Sequence, residues 1–478
     1  MAHSPLLFND EKQISLIQAF AQLPWLAYRL VRWRTWRGGW LPDYLRHHRP
    51  FDRRIFPPHQ PIDIMVLCAD HFEPARRFGD AAAVASVRSW CAEYEKLVRG
   101  HQDADGRPPQ HTWFYRYDYP NPGCVQALSD SVFRGMGEIE FHLHHSHDTH
   151  ESMLATLRSG LDWFNRFGAM RTAEECPQQR YAYLAGNSAL DNGAGNDALS
   201  GCPTELSALR DTGCYADFTF PSLGSLAQPR LTNCIYYASE DGKPKSYDRG
   251  VPVEVGKPPQ GDLLMFQGPV AIDWRHGCFE EAALENTSPP HPRRMAAWLS
   301  ANVHVRGRPE WIFVKFQTHA MQNRASFLSA ANDALFTAME TWWNRPPFRL
   351  HYVTAREAYN IVKAAEAGKS GDPNAYRDFQ IPPPANRLFR CDVPWRLLRY
   401  TPQCVRIALL ENKPARLEFA QGDLATVSGR MRQIEAIYQE GRLLDLHIDG
   451  EGPHEVIKRT NSGGRRRAET PVAGAPGG

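Results

Sequence analysis

The stretch "EIEFHLHHSHDTHE", Glu138 to Glu151, places five histidines within nine residues, and its order decides the fold class. Ile139, Phe141 and Leu143 alternate with Glu140, His142 and His144, the period-2 pattern of a strand whose faces meet different surroundings. One face is apolar. The other carries a carboxylate and two imidazoles. After Asp148 and Thr149 the period changes to that of a helix in "THESMLATLRSGLDWFNRFG". The cluster therefore sits where a strand hands over to a helix, the place where sites of α/β folds lie.

Outward from that junction the alternation continues. Strands are predicted at "IDIMVLCAD", "HTWFYRYDY", "RYAYLAG", "YADFTFP", "DLLMFQG", "EWIFVKFQTH" and "FRLHYVT". Helices are predicted at "DAAAVASVRSWCAEYEKLVRG", "PGCVQALSDSVFRGMG", "CPTELSALRDTG", "HPRRMAAWLSANV", "RASFLSAANDALFTAMETWW" and "AREAYNIVKAAEAG". Such alternation gives parallel strands with helical crossovers. No Gly-rich phosphate loop follows an early strand, which favours a (β/α) barrel over a dinucleotide-binding open sheet. The expected fold class is thus α/β, a distorted (β/α) barrel over residues 59–370. It is preceded by an amphipathic segment (1–58) and followed by a small β-rich appendage (371–457) and a disordered tail (458–478).

At 478 residues and a formal net charge of +2, the chain can bury a large core but lacks the basic face that nucleic acid requires. The dense basic run "GGRRRAET" reads as part of the solvated tail. The 10 cysteines contain no CxxC pair and no cleavable leader is evident, so reduced thiols in a cytoplasmic protein are expected. The segment from Ile14 to Trp40 mixes tryptophans with Arg29, Arg32, Arg34 and Arg37 and is too interrupted to span a bilayer. Two readings of it stay open, a helix docked on the main domain and peripheral contact with the inner face of a membrane. The stretch from Ser222 to Asp262 lacks helical pattern, and a loop of that length is usually functional. Tyr237, Lys243, Lys245 and Tyr247 in it are candidates for substrate contact, beside the alternative of an ordinary polar surface loop.

Three predicted strands end in residues able to act together. "CADHFEP" offers Asp70, His71 and Glu73; the histidine strand offers His142 and His144, with Asp148 four residues on; "WIFVKFQTHAM" ends in His319. Singly each could be a satisfied structural group. Jointly, at strand ends that a barrel gathers on one face, they read as a site for zinc, iron, cobalt or nickel.

The order of these motifs resembles the polysaccharide deacetylase (NodB-homology) family of carbohydrate esterases, over about residues 60 to 360. Members have a distorted (β/α) barrel and remove N- or O-acetyl groups with one divalent metal, here zinc by first choice. "CADH" stands where the family has Thr-Phe-Asp-Asp, which implies Asp70 as the base and His71 as a metal ligand, or Asp70 itself as ligand. "EIEFHLHHSHD" is similar to the histidine motif and implies His142 with His144, or His144 with Asp148. The Arg-x-Pro-Tyr motif has no match; "YLAGNSALDNG" falls in its place with Asn187 and Asp191, and "LRDTGCYADFTFP" supplies Asp217. His319 matches the histidine that protonates the leaving group. Further stretches look like a subgroup from bacterial surface-polysaccharide gene clusters. What the resemblance implies is a metal-dependent deacetylase acting on an acetylated sugar or glycan intermediate. A non-catalytic glycan-binding protein on the same barrel, or a metal hydrolase of a non-sugar amide, would fit the altered motifs as well.

Overall fold

The computed structural model describes residues 16–75, 79–170, 181–274 and 276–401, and beyond them 403–411, 413–420, 424–427, 433–439, 442–449, 454–459 and 465–468. The main domain runs α1 (Leu16–Arg32), α2 (Trp40–His47), β1 (Ile62–Phe72), α3 (Ala82–Leu97), β2 (His111–Arg116), α4 (Pro122–Phe133), β3 (Gly137–Leu143), α5 (His150–Asn165), β4 (Tyr181–Ala185), α6 (Glu205–Asp211) and β5 (Cys214–Asp217). It continues with β6 (Ile235–Ala238), β7 (Val251–Pro252), β8 (Leu263–Phe266), β9 (Ala271–Asp273), β10 (Cys278–Glu280), α7 (Arg294–Ser300), β11 (Trp311–Thr318), α8 (Arg324–Phe327), α9 (Ala330–Trp343), β12 (Phe348–Tyr352) and α10 (Ala355–Glu366). Local chemistry sets the starts. Pro122 opens α4 behind an Asn121 cap, Thr149 and Ser152 form a capping box on α5, and Thr354 and Glu357 form another on α10.

The protein is α/β, with a mostly parallel mixed sheet in the order β11-β1-β2-β3-β4-β5-β8-β6-β7 and β12 beside the first half of β1. Every residue of β1 is buried, and the two faces differ. Ile64, Val66 and Cys68 join α3, α4, α5 and α9 in one core, whereas Met65, Leu67 and Ala69 join α10 in another. The second core shows that the sheet curls. Phe266 on β8 meets Phe313 on β11 edge to face at 5.4 Å, although five strands separate β8 from β11 along the ladder. The buried Lys315 of β11 reaches the carbonyls of Phe218 and Phe220 after β5. Sheet ends thus meet through side chains and one ammonium, giving an unclosed barrel whose concave side is filled by α10. All twelve α10 residues are buried.

The N-terminal ends of the strands are closed by charge pairs. Arg356 on α10 holds Glu138 at 2.8 Å, Arg107 and Arg377 hold Glu357, and His351 bridges Asp63 and Asp105. Buried ions of this kind persist only when paired and hydrogen-bonded.

Several expected boundaries move. Trp40, Tyr44, Phe51 and Phe56 are buried, so residues 40–58 pack into the main domain. Ile381 lies in the α10 core and its carbonyl accepts from Arg356 and Asn360, which carries the main domain past residue 370. Beyond Phe389 two antiparallel sheets, built from strands such as Trp395–Thr401 and Ala415–Phe419, share a core around Trp395, Val405 and Phe419. Arg465–Ala468, expected in a disordered tail, pairs instead with His454–Arg459; residues 469–478 lie outside the described ones. The expected loop from Ser222 to Asp262 contains β6 and β7, antiparallel additions to the edge of β8.

Candidate metal centre

Alternation along three strands brings three histidines together. On β1 the inner face holds Leu67 and Ala69 and next His71; on β3 it holds Glu138, Glu140 and His142; on β11 it holds Phe313 and Lys315 and then leads to His319. His71 stacks on His319 with centroids 4.4 Å apart and meets His142 edge-on at 4.9 Å.

The tightest group is Glu73, His142 and His144. The His142 Nδ1–H donates to the Leu184 carbonyl at 2.7 Å, which fixes the tautomer and leaves the Nε2 lone pair pointing into the cluster. That Nε2 lies 3.1 Å from His144 Nε2 and 3.2 Å from Glu73 Oε1, and His144 Nε2 lies 3.0 Å from the same oxygen. Ligands about 2.0–2.1 Å from a tetrahedral zinc are separated by roughly 3.3 Å, so the three atoms fit a small divalent cation. Glu73 is itself aimed, because its Oε2 accepts from Arg116 at 3.3 Å and from Gln322 at 3.2 Å. His71 completes a second overlapping group with Glu73 and His319.

The electrostatics follow. Burial opposes the charge on Glu73, but the His142 and His144 rings against its carboxylate hold it far below the usual range. Burial, reinforced by His319 and His142, keeps His71 neutral, and burial lowers His142 as well. Neutral imidazoles beside an ionised carboxylate are the protonation states a metal needs. His319 behaves differently. Burial opposes its charge, yet its 2.7 Å hydrogen bond from Nδ1 to Glu285 Oε1 and the nearby carboxylates raise it.

Asp70 stands apart. It is adjacent to His71 on a strand, so its side chain leaves by the opposite face. There Oδ1 accepts from the Ala320 N–H at 2.9 Å and Oδ2 from His111 Nε2–H at 2.8 Å, under the rings of Trp90, Tyr94 and Phe327. Asp148 is not brought to the cluster either. It accepts from His145 at 2.9 Å and Ser152 at 2.6 Å at the start of α5, and this turn directs it away from His144. Asp191 is buried and its carboxylate accepts the Ser246 and Glu205 N–H groups, while Asn187 is exposed. Asp217 accepts from Thr219 and faces Lys315 inside the sheet. Tyr237 is buried against Lys363 and Glu366, Tyr247 is buried and donates to the Ala227 carbonyl, and Lys245 pairs with Asp248; of these loop candidates only Lys243 is exposed.

Sequence reasoning missed the full role of Glu73 and all of Arg116 and Glu285. Glu73 lies one residue past β1, where alternation no longer assigns a face. Glu285 reaches His319 from a segment that hydrogen-bonds beside β11. A further acid-histidine group, Asp105, His351 and Asp372, lies at the other end of the strands, where Arg349 and Arg377 already neutralise it.

No protein-family model matches the chain, and no curated protein does.

Proposed function

We propose that this protein is a metal-dependent deacetylase that hydrolyses an N- or O-acetyl group on a sugar or glycan intermediate of surface-polysaccharide assembly. The observation that supports it most is the His142 tautomer, which turns a second nitrogen lone pair onto His144 and Glu73. The His142 lone pair faces His144 Nε2 at 3.1 Å and Glu73 Oε1 at 3.2 Å, a gap that a proton on His144 or a cation would fill. A divalent metal held by Glu73, His142 and His144, with His71 beside it, would act as Lewis acid toward the acetyl carbonyl and its attacking water. His319, oriented and charged by Glu285, gives its proton to the departing nitrogen or oxygen. Asp70, which the resemblance implies as base, has both oxygens occupied on the opposite face of β1; we assign it the holding of the turn that carries His319 and Ala320.

Among the described residues no helix is long and apolar enough to cross a membrane. We further propose a cytoplasmic location at the inner face of the membrane. The test of function is acetate release from a panel of acetylated amino sugars and lipid-linked sugars by protein loaded with zinc. Turnover should fall about 10²–10⁴-fold in His319→Ala with metal content unchanged. A metal-loaded protein inactive across the panel would overturn the enzymatic reading.

A further inference from the structure

The segment from Leu23 to Trp36 is built inside out. Along α1, Gln22, Leu26 and Leu30 recur at helical spacing and form the less exposed stripe, and Gln22 sits against Gly277 beside β10. The opposite face should be polar on a helix that ends in water. Instead it carries Tyr28 (57% exposed) and Val31 (71%), flanked by Trp25 (60%), whose base touches the Gly277 turn while its ring stays exposed, and the turn beyond adds Trp33 (65%) and Trp36 (55%). Six of the eleven large hydrophobic side chains exposed among the described residues fall between Leu23 and Trp36.

Charge selects the occupant. Arg29, Arg32, Arg34 and Arg37 are interleaved with these rings, and no Asp or Glu occurs from Gln13 to Pro42. Tryptophan and tyrosine with arginine, free of acids and lying flat along a docked helix, match the headgroup layer of an anionic bilayer. Within the segment itself no acid is present to meet the cations of a protein partner.

The surface is also tied to the site. α1 packs on β10, and from Gly277 the chain runs to Glu285, the partner of His319. Eight residues span at most about 28 Å. We infer that α1 and the turn to Trp36 dock this protein on an anionic lipid surface, presenting the histidine cluster to substrates whose sugar is anchored to lipid. The substrate class rests on the proposed deacetylase reading; the docking does not.

The full chain should therefore sediment with vesicles of phosphatidylcholine plus phosphatidylglycerol and not with phosphatidylcholine alone. Binding should weaken as salt rises from about 0.05 to about 0.5 M, because arginine attraction is screened. The triple variant Trp25→Ser, Trp33→Ser, Trp36→Ser, at exposed positions, should keep its metal content and lose at least about tenfold in vesicle affinity. Turnover of a lipid-linked acetylated sugar in those vesicles should fall in parallel while that of its soluble counterpart holds. Undiminished vesicle binding by the triple variant overturns the inference. So does absence of binding to any vesicle combined with self-association of the wild type, which would assign the surface to a second copy. Binding as expected without turnover of either sugar leaves the docking standing and removes the deacetylase.

Discussion

His142 Nε2 and His144 Nε2 lie 3.1 Å apart, two residues removed on one chain, with Glu73 Oε1 completing a triangle of 3.0 to 3.2 Å sides. On a regular strand residues i and i+2 share a face but stand further apart. The approach is possible because β3 ends at Leu143 and the His144 N–H turns to Asp118.

The ligand set makes the first prediction. Glu73→Gln and His144→Ala should each weaken zinc binding by at least about 100-fold, whereas Asp148→Asn should leave it within a few-fold. Arg116→Gln, which removes one of the two donors to the second oxygen of Glu73, should cost roughly 10-fold. Elemental analysis and chelator competition on the purified variants check all four.

Glu285 makes the second. Its hydrogen bond overcomes the burial that opposes charge on His319. Glu285→Gln should therefore lower the pKa of the ring. Since the proton donor must be charged, the loss of kcat/KM at high pH should begin at lower pH than in the wild type. Turnover should fall roughly 10-fold, less than in His319→Ala. A high-pH limb that does not move would detach Glu285 from the proton transfer.

Lys315 makes the third. Burial draws its pKa down and raises that of the neighbouring buried Asp217. Lys315→Met leaves the Phe218 and Phe220 carbonyls without their donor and the Thr219-bonded carboxyl of Asp217 without its neighbouring cation, and should cost about 3 kcal/mol in denaturant unfolding. Adding Asp217→Asn should cost less than the sum of the single losses, because the variants remove two halves of one interaction.

The His351 bridge supplies a pH dependence far from the histidine cluster. Burial opposes its charge, but Asp105 and Asp63, accepting from Nδ1–H at 2.8 Å and Nε2–H at 2.9 Å, raise its pKa. A raised folded value means stability that is fully present below the unfolded value of about 6.5 and is lost as pH rises through the folded one. His351→Gln should thus cost about 3 kcal/mol at pH 6 and visibly less at pH 9, read as the gap in Tm between variant and wild type.

Periodicity carried much of this structure in the sequence itself. The alternation of β3 and the apolar runs of β1 and β11 identified parallel strands, and their polar ends named His71, His142, His144 and His319, because side-chain direction on a strand is a local property. The same rule, applied to Asp70 beside His71, sends the two side chains to opposite faces; motif order alone had joined them. Tertiary structure decided what local rules do not reach. Glu73 and Asp148 both follow strand ends, where the direction of a carboxylate depends on the next turn and on partners such as Arg116 and Ser152. The curl that lets Phe266 meet Phe313, the filling of the concave side by α10, and the arrival of Glu285 at His319 all join residues tens of positions apart in sequence, and such contacts are fixed by packing of the whole sheet rather than by any stretch of it.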